Sequence, residues 1–171
     1  PFLKVVDAEM LAFSQGVTRR GSYAAYLDIS HPEVEEFLDV RKPTGGDVNR
    51  KSTNLHHGVL LSDEFMELIE KATKIEGFDD SWDLVDPHSG EVKKTVSAKT
   101  LWVKLIQNRV ETGEPYIMFK DTVQEAVPEF QQNLGLTVHH SNLCSEITLA
   151  TDKDRTAVCC LSSVNLEEYD E

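Results

Sequence analysis

The chain has 171 residues, a net charge of −13 at pH 7 and 40% hydrophobic residues. That length and apolar share fit one globular domain and exclude a disordered polar chain. The acidic balance speaks against nucleic-acid binding, which needs a basic stripe, and no apolar run approaches the roughly 20 residues that span a bilayer.

Three cysteines are an odd number and too few for a disulfide framework, so reduced thiols and a cytoplasmic setting are the default. The opening run Pro1-Phe2-Leu3-Lys4-Val5-Val6 does not read as a secretory leader. A start without Met points to a processed or cut chain.

Helices alternate with strands, the pattern of an α/β fold. Residues 5–13 read as the end of a helix, followed by a loop over 14–22. Residues 23–29 are rich in β-formers and predict a strand. Ser30-His31-Pro32-Glu33 opens a helix, with Ser30 as its cap and Val34, Phe37 and Leu38 as its buried stripe. Pro43-Thr44-Gly45-Gly46-Asp47 breaks it. Residues 58–61 are a short strand. Ser62 then caps a helix with Phe65, Leu68, Ile69 and Ala72 inward and Gly77 at its end. Residues 78–94 read as an exposed excursion with a turn over 86–90. The next helix buries Val96, Leu101, Trp102, Leu105, Ile106 and Val110 and ends near Gly113. Residues 116–119 predict a strand, and 128–134 a loop or short helix. Residues 147–150 and 157–161 predict a hairpin joined across 151–155. Several strands are continuously apolar, as parallel strands covered on both faces are. They are too few for a closed barrel, so the chain reads as part of a larger domain.

The run Ser141-Asn142-Leu143-Cys144-Ser145-Glu146-Ile147 sets an amide, a thiol and a carboxylate at every second position. In an extended backbone all three share a face. There the amide can hold a hydroxyl, the thiol can do redox or radical chemistry, and the carboxylate can take a proton. Apolar surroundings would raise the pKa of Glu146 toward a useful base. Each residue also has a plainer reading. Cys144 can be a small buried apolar residue, Asn142 a turn residue bonding its own backbone, and Glu146 a solvated strand residue. Cys159 and Cys160 follow, and adjacent strand residues face opposite sides, so only one can point at the same volume. The pairs His56-His57 and His139-His140 raise a zinc reading, with His140, Cys144 and Glu146 as ligands. That spacing fits no standard structural site and no fourth ligand completes it, so no metal site is assigned.

Asn142-Leu143-Cys144-Ser145-Glu146-Ile147, followed by Val158-Cys159-Cys160-Leu161-Ser162-Ser163-Val164-Asn165-Leu166, resembles the large (α) subunit of class I ribonucleotide reductases. The loop Gln15, Gly16, Val17, Thr18, Arg19, Arg20, Gly21 and Ser22 resembles that family's specificity loop. The segments His31-Pro32-Glu33-Val34-Glu35-Glu36-Phe37-Leu38, Asn49-Arg50 and Thr112-Gly113-Glu114-Pro115-Tyr116-Ile117 fit in the same order. Nearly the whole chain is covered. The resemblance implies part of a ten-stranded α/β barrel with the active-site cysteine on a finger loop inside it, residues 1–171 forming one incomplete barrel domain. The implied activity is radical-based reduction of ribonucleoside diphosphates to 2′-deoxyribonucleotides for DNA synthesis.

The resemblance also implies roles. Cys144 matches the thiyl-radical cysteine that removes the 3′ hydrogen, Glu146 the carboxylate that takes the 3′-hydroxyl proton, and Asn142 the amide that holds the substrate hydroxyls. Cys159 matches a cysteine of the reducing pair, whose partner lies outside these residues; Cys160 stands where other members carry a different residue. Arg19 matches the key arginine of the specificity loop, while Arg20 departs from the common glycine. The implied partners are the remaining segments of the large subunit, a radical-generating, metal-containing small subunit, thioredoxin or glutaredoxin as reductant, and nucleotide effectors (dNTP or ATP). No cofactor is expected to be bound by this stretch itself. A reading of another class is a non-catalytic assembly module that binds partner chains through unfinished sheet edges.

Overall fold

The computed structural model describes residues 1–14, 16 and 18–168. In chain order its elements are α1 (Phe2–Ala12), β1 (Ala24–Asp28), α2 (Val34–Leu38), β2 (His56–Leu61), α3 (Asp63–Lys74), β3 (Ser81–Val85), β4 (Val92–Ser97), α4 (Ala98–Thr112), β5 (Tyr116–Phe119), α5 (Lys120–Glu125) and α6 (Glu129–Gln132). Two short 3-10 turns lie at Val48–Arg50 and Leu166–Glu168.

β1, β2 and β5 form a parallel sheet in the order β1-β2-β5. Its register sets Tyr26 opposite Gly58, and Gly58 opposite Tyr116. Because side chains alternate along a strand, the two faces are distinct. One carries Ala25, Leu27, Val59, Leu61 and Ile117, which pack with Phe37 and Leu38 of α2, Phe65 and Ile69 of α3, and Leu101 and Leu105 of α4. Burying each of the larger of these side chains stabilises the fold by about 1.5–3 kcal/mol. The opposite face carries Tyr26, Leu60 and Met118, which pack with Val123, Val127 and Val138. The sheet is thus covered by three helices on one side and by α5 and the chain after it on the other. This is an α/β arrangement, and among the described residues the sheet does not close into a barrel. No helix of the described residues is long and apolar enough to cross a membrane.

Local chemistry explains the boundaries. Ser62 Oγ accepts from the Phe65 N–H at 3.2 Å and starts α3, as its sequence predicts. Ser97 does the same for α4 through Thr100 N–H at 3.1 Å. Gly113 closes α4 at φ 79°, the left-handed conformation that a side chain would strain. α1 is anchored by the buried Asp7, whose Oδ1 accepts from the N–H groups of Asn54 at 3.0 Å and Leu55 at 2.6 Å.

Several expectations are corrected. Residues 78–94 do not form an exposed excursion: β3 and β4 pair antiparallel, Leu84 is fully buried, and Trp82 meets Phe65 edge-on at 5.1 Å. The turn over 86–90 is present, with Asp86 Oδ1 accepting from His88 N–H and Ser89 N–H, both at 2.9 Å. Val96 belongs to β4 rather than to the following helix, and Val110 is 83% exposed because it lies on the outer side of α4. Ser30 does not cap α2. Its hydroxyl turns back to Asp28 Oδ1 at 2.8 Å, and His31 Nδ1 accepts from Glu33 N–H at 3.1 Å instead. The hairpin expected over 147–161 reduces to a single bridge between Asp152 and Arg155. Val158 and Leu161 lie exposed, and a strand without a neighbouring ladder has nothing to satisfy its backbone.

Candidate active site

The sheet face opposite the three helices is where the chemistry gathers. Tyr26 projects there from β1 across Gly58 of β2, and a Cβ added at Gly58 would lie 2.4 Å from Tyr26 Cε1. Only glycine leaves room for that ring. Tyr116 occupies the matching position on β5. Above Tyr26 lies the segment from His140 to Ile147, with the His140 ring centroid 6.0 Å from that of Tyr26.

That segment is a turn, not an extended strand, so the equal-face argument for Asn142, Cys144 and Glu146 fails. Ser145 has φ 68°, and its N–H donates to the Asn142 carbonyl at 3.2 Å. The Asn142 side chain organises the turn: its Oδ1 accepts from Glu146 N–H and from Ile147 N–H, each at 3.1 Å. Ser141 Oγ donates to the Ile147 carbonyl at 2.7 Å and closes the base. The plainer reading of Asn142, a residue bonding its own backbone, is therefore present. It commits only the amide oxygen and leaves the Nδ2 donors for a ligand hydroxyl. Cys144 and Glu146 both lie exposed at the turn. Glu146 faces solvent rather than an apolar wall.

Asn142 and Cys159 border one cleft of about 270 Å³, together with His140, Ser141, Ile147 and Ala157. Cys144 and Glu146 are not part of its lining. Cys144 lies toward Tyr116 instead: burial pushes the Tyr116 phenol up, with the charges of Glu114, Tyr26 and Cys144 adding to the effect. Cys160 is exposed and also lies off the cleft. All three thiols are free. His140, Cys144 and Glu146 form no ligand set, and among the described residues no three His, Cys, Asp or Glu side chains converge to hold a metal.

At the start of β2 and β5 a second polar group assembles. Glu114 accepts from His57 N–H at 3.1 Å and pairs with His57 Nδ1 at 3.0 Å, with His56 Nδ1, and with Arg41 at 3.3 Å. Burial alone would raise this carboxyl, but the bonds from His57 and His56, the backbone N–H and the Arg41 charge outweigh it and bring it down to about 2. The His56 ring stacks parallel to that of Tyr116, with centroids 6.2 Å apart.

A family model described as the ribonucleotide reductase barrel domain matches residues 1–170. The chain belongs to this family. It is 55% identical to the putative ribonucleoside-diphosphate reductase large subunit of Frog virus 3 over 171 residues, which are 100% of this chain and 29% of that protein. It is 36% identical to the ribonucleoside-diphosphate reductase large subunit of Caenorhabditis elegans over 185 residues, covering 99% of this chain and 23% of that protein. Among solved structures, the class Id ribonucleotide reductase alpha subunit of Actinobacillus ureae superposes with a TM-score of 0.62 at 31% identity, over 82% of this chain and 22% of that one. The chain spans less than a third of the length of each of these three relatives.

In this ribonucleotide reductase segment the expected specificity loop connects α1 to β1. Gln15 and Val17 lie outside the described residues. Gly16 has φ 67°, and Thr18, Arg19, Arg20 and Ser22 are exposed. Gly21 is pinned against α1, since a Cβ there would lie 2.5 Å from the Met10 carbonyl oxygen. The loop's base is thus fixed while its arginines face outward. Motif reading passed over Tyr26 and Gly58. Their signal is a tyrosine and a glycine in register on neighbouring strands, which becomes visible only once the pairing of β1 with β2 is known.

Proposed function

We propose that this chain is the portion of a class I ribonucleoside-diphosphate reductase catalytic subunit that carries the active-site finger and the specificity loop. The observation that supports it is the turn bearing Asn142, Cys144 and Glu146, seated on the inner face of a parallel sheet whose outer face is helical, with Asn142 and Cys159 sharing one cleft. Such a sheet is an arc of a ten-stranded α/β barrel, with residues 1–171 as one partial barrel domain. The remaining strands come from the rest of the large subunit, whether in the same polypeptide or in others.

The chemistry follows from residue type. A Cys144 thiyl radical takes the 3′ hydrogen of the ribose as S–H forms. Glu146 accepts the 3′-hydroxyl proton, and Asn142 Nδ2 holds the ribose hydroxyls. The 2′ hydroxyl leaves as water, and Cys159 with a thiol beyond this chain supplies two electrons and closes to a disulfide. Cys144 then returns its hydrogen to the sugar. The radical originates on a metal-containing small subunit, and thioredoxin or glutaredoxin reopens the disulfide. Nucleotide effectors (dNTP or ATP) act through the loop from Gln15 to Ser22, with Arg19 toward the base. The setting is cytoplasmic.

The test combines the complete large subunit, the small subunit, a ribonucleoside diphosphate and a dithiol reductant. Deoxyribonucleotide formation is expected, and Cys144→Ala is expected to abolish it. Turnover that survives Cys144→Ala overturns the reading.

The assembly role rests on a separate observation. β1 and β5 each pair on one side only among the described residues, leaving two open sheet edges. Those edges serve joining of the segments rather than replace the catalytic role.

A further inference from the structure

We propose that Tyr26 is a positioning residue for Cys144, and that Gly58 exists at its place to admit it. This deepens the reductase reading and rests on it.

The finger turn is internally braced. Asn142 Oδ1 takes the N–H groups of Glu146 and Ile147, and Ser141 Oγ ties back to Ile147. Internal bracing fixes the shape of the turn but not where that shape sits. The placement must come from contacts to the sheet. The side-chain hydrogen bonds from β1, β2 or β5 to this turn, among the described residues, both come from the Tyr26 hydroxyl. It lies 3.4 Å from the Asn142 carbonyl oxygen and 3.4 Å from Ser145 Oγ. One phenol can serve both, donating to the carbonyl and accepting from the serine. The two contacts fall on either side of Cys144 in sequence, so the hydroxyl grips the turn across the thiol. Both are long for O–H···O bonds, as catalytic hydrogen bonds often are before substrate is bound.

The ring is held below. It packs in the cluster of Leu60, Met118, Val123, Val127 and Val138. It also lies over Gly58, where a Cβ would come within 2.4 Å of Cε1 and 2.5 Å of Cδ1. A methyl at that point must push the ring, and its hydroxyl with it, off the turn. Cα 58 and the tyrosine ring thus set the height of the cysteine above the sheet. A misplacement of about 1 Å at a reacting atom can cost on the order of a hundredfold in rate, so a modest loosening of this seat registers in turnover.

The experiment uses the complete large subunit with its small subunit, and compares Tyr26→Phe, Ser145→Ala, the double variant and Gly58→Ala. Tyr26→Phe keeps the ring and the apolar packing, so the fold is retained. Its kcat is expected to fall about tenfold with KM changed less than twofold, because the lost interaction places the reacting thiol rather than the substrate. Ser145→Ala is expected to fall by less, and the double variant by no more than Tyr26→Phe alone, since the two hydroxyls act as one unit. The rate at which a neutral alkylating reagent modifies Cys144 in the substrate-bound enzyme is expected to rise in Tyr26→Phe, a change that a purely structural role would not produce in a protein of unchanged unfolding midpoint. Gly58→Ala is expected to lower kcat in the same sense; if that variant does not fold, the result stands on Tyr26→Phe. Unchanged kcat and unchanged Cys144 reactivity in Tyr26→Phe overturn the proposal. If Cys144→Ala retains turnover in the same assay, it is the reductase reading that falls, so the two failures are distinct.

Discussion

Glu114 shows how a carboxylate is kept ionised beside apolar packing. Two histidines, one backbone N–H and an arginine converge on it, and together they hold its carboxyl at about 2 against an ordinary value of 4.5. A depressed folded pKa means that the stabilisation is fully present above about 4.5 and is lost as pH falls toward 2. Glu114→Gln is therefore expected to be less stable than the parent at pH 7, with the gap closing through that acid window. Urea unfolding midpoints measured from pH 7 down to pH 3 check it, and a gap constant with pH contradicts it. Asn142 makes a second case. The spacing of Asn142, Cys144 and Glu146 is legible in the sequence, but the turn that takes them off a common face is not, because Asn142 bends the backbone through its own side chain and alternation holds only for extended chain. Asn142→Ala removes the acceptor for two N–H groups, each bond being worth about 0.5–1.5 kcal/mol. Hydrogen exchange at the Glu146 and Ile147 amides is expected to accelerate in Asn142→Ala and to stay slow in Asn142→Asp, which keeps the acceptor.

Elements whose ends carry their own capping chemistry were readable in advance. Ser62 before α3 and Gly113 after α4 stand where propensity and geometry agree. The strands of the sheet were readable as apolar runs, although their order was not, since register depends on contacts distant in sequence. The β3–β4 hairpin is hard to read in the sequence for a definite reason: its charged residues obscure the alternation of Trp82 and Leu84 with Ser81 and Asp83. The converse holds over 147–161, where β-branched residues suggest strands but only the Asp152–Arg155 bridge forms, because neither stretch has a partner to pair with among the described residues. Two substitutions separate capping from burial. Ser62→Ala is expected to lower stability by about 1 kcal/mol, whereas Val110→Lys on the exposed side of α4 is expected to change it by less than about 0.5 kcal/mol. Denaturant midpoints at constant slope decide both, and a large loss from Val110→Lys would show that this face is covered.

At the scale of the whole molecule, the parallel sheet has one face covered by three helices, and among the described residues its two edges are open. In a parallel ladder each residue turns both its N–H and its C=O to one side. Tyr23 and Ile29 bond to β2, through His56 N–H at 2.8 Å and the Leu60 carbonyl at 3.0 Å. The residues between them in phase, Ala25 and Leu27, do likewise, so Ala24, Tyr26 and Asp28 present their backbone groups to the open edge. Beyond the finger, Val158, Leu161, Val164 and Leu166 are each more than 70% exposed, an apolar run that the described residues leave uncovered. Open edges and bare apolar chain both favour association with another strand. The 171-residue chain alone is expected to self-associate as its concentration rises, seen as a rising mass in light scattering. Ala24→Pro keeps the bonds to β2 on its neighbours and puts a ring at the edge, so it is expected to reduce that association without lowering the unfolding midpoint by much. Adding the rest of the large subunit is expected to abolish self-association by occupying the same edge. A chain that stays monomeric at every concentration, with one sharp unfolding transition, would mean that the edges are inert and that the sheet needs no further strand.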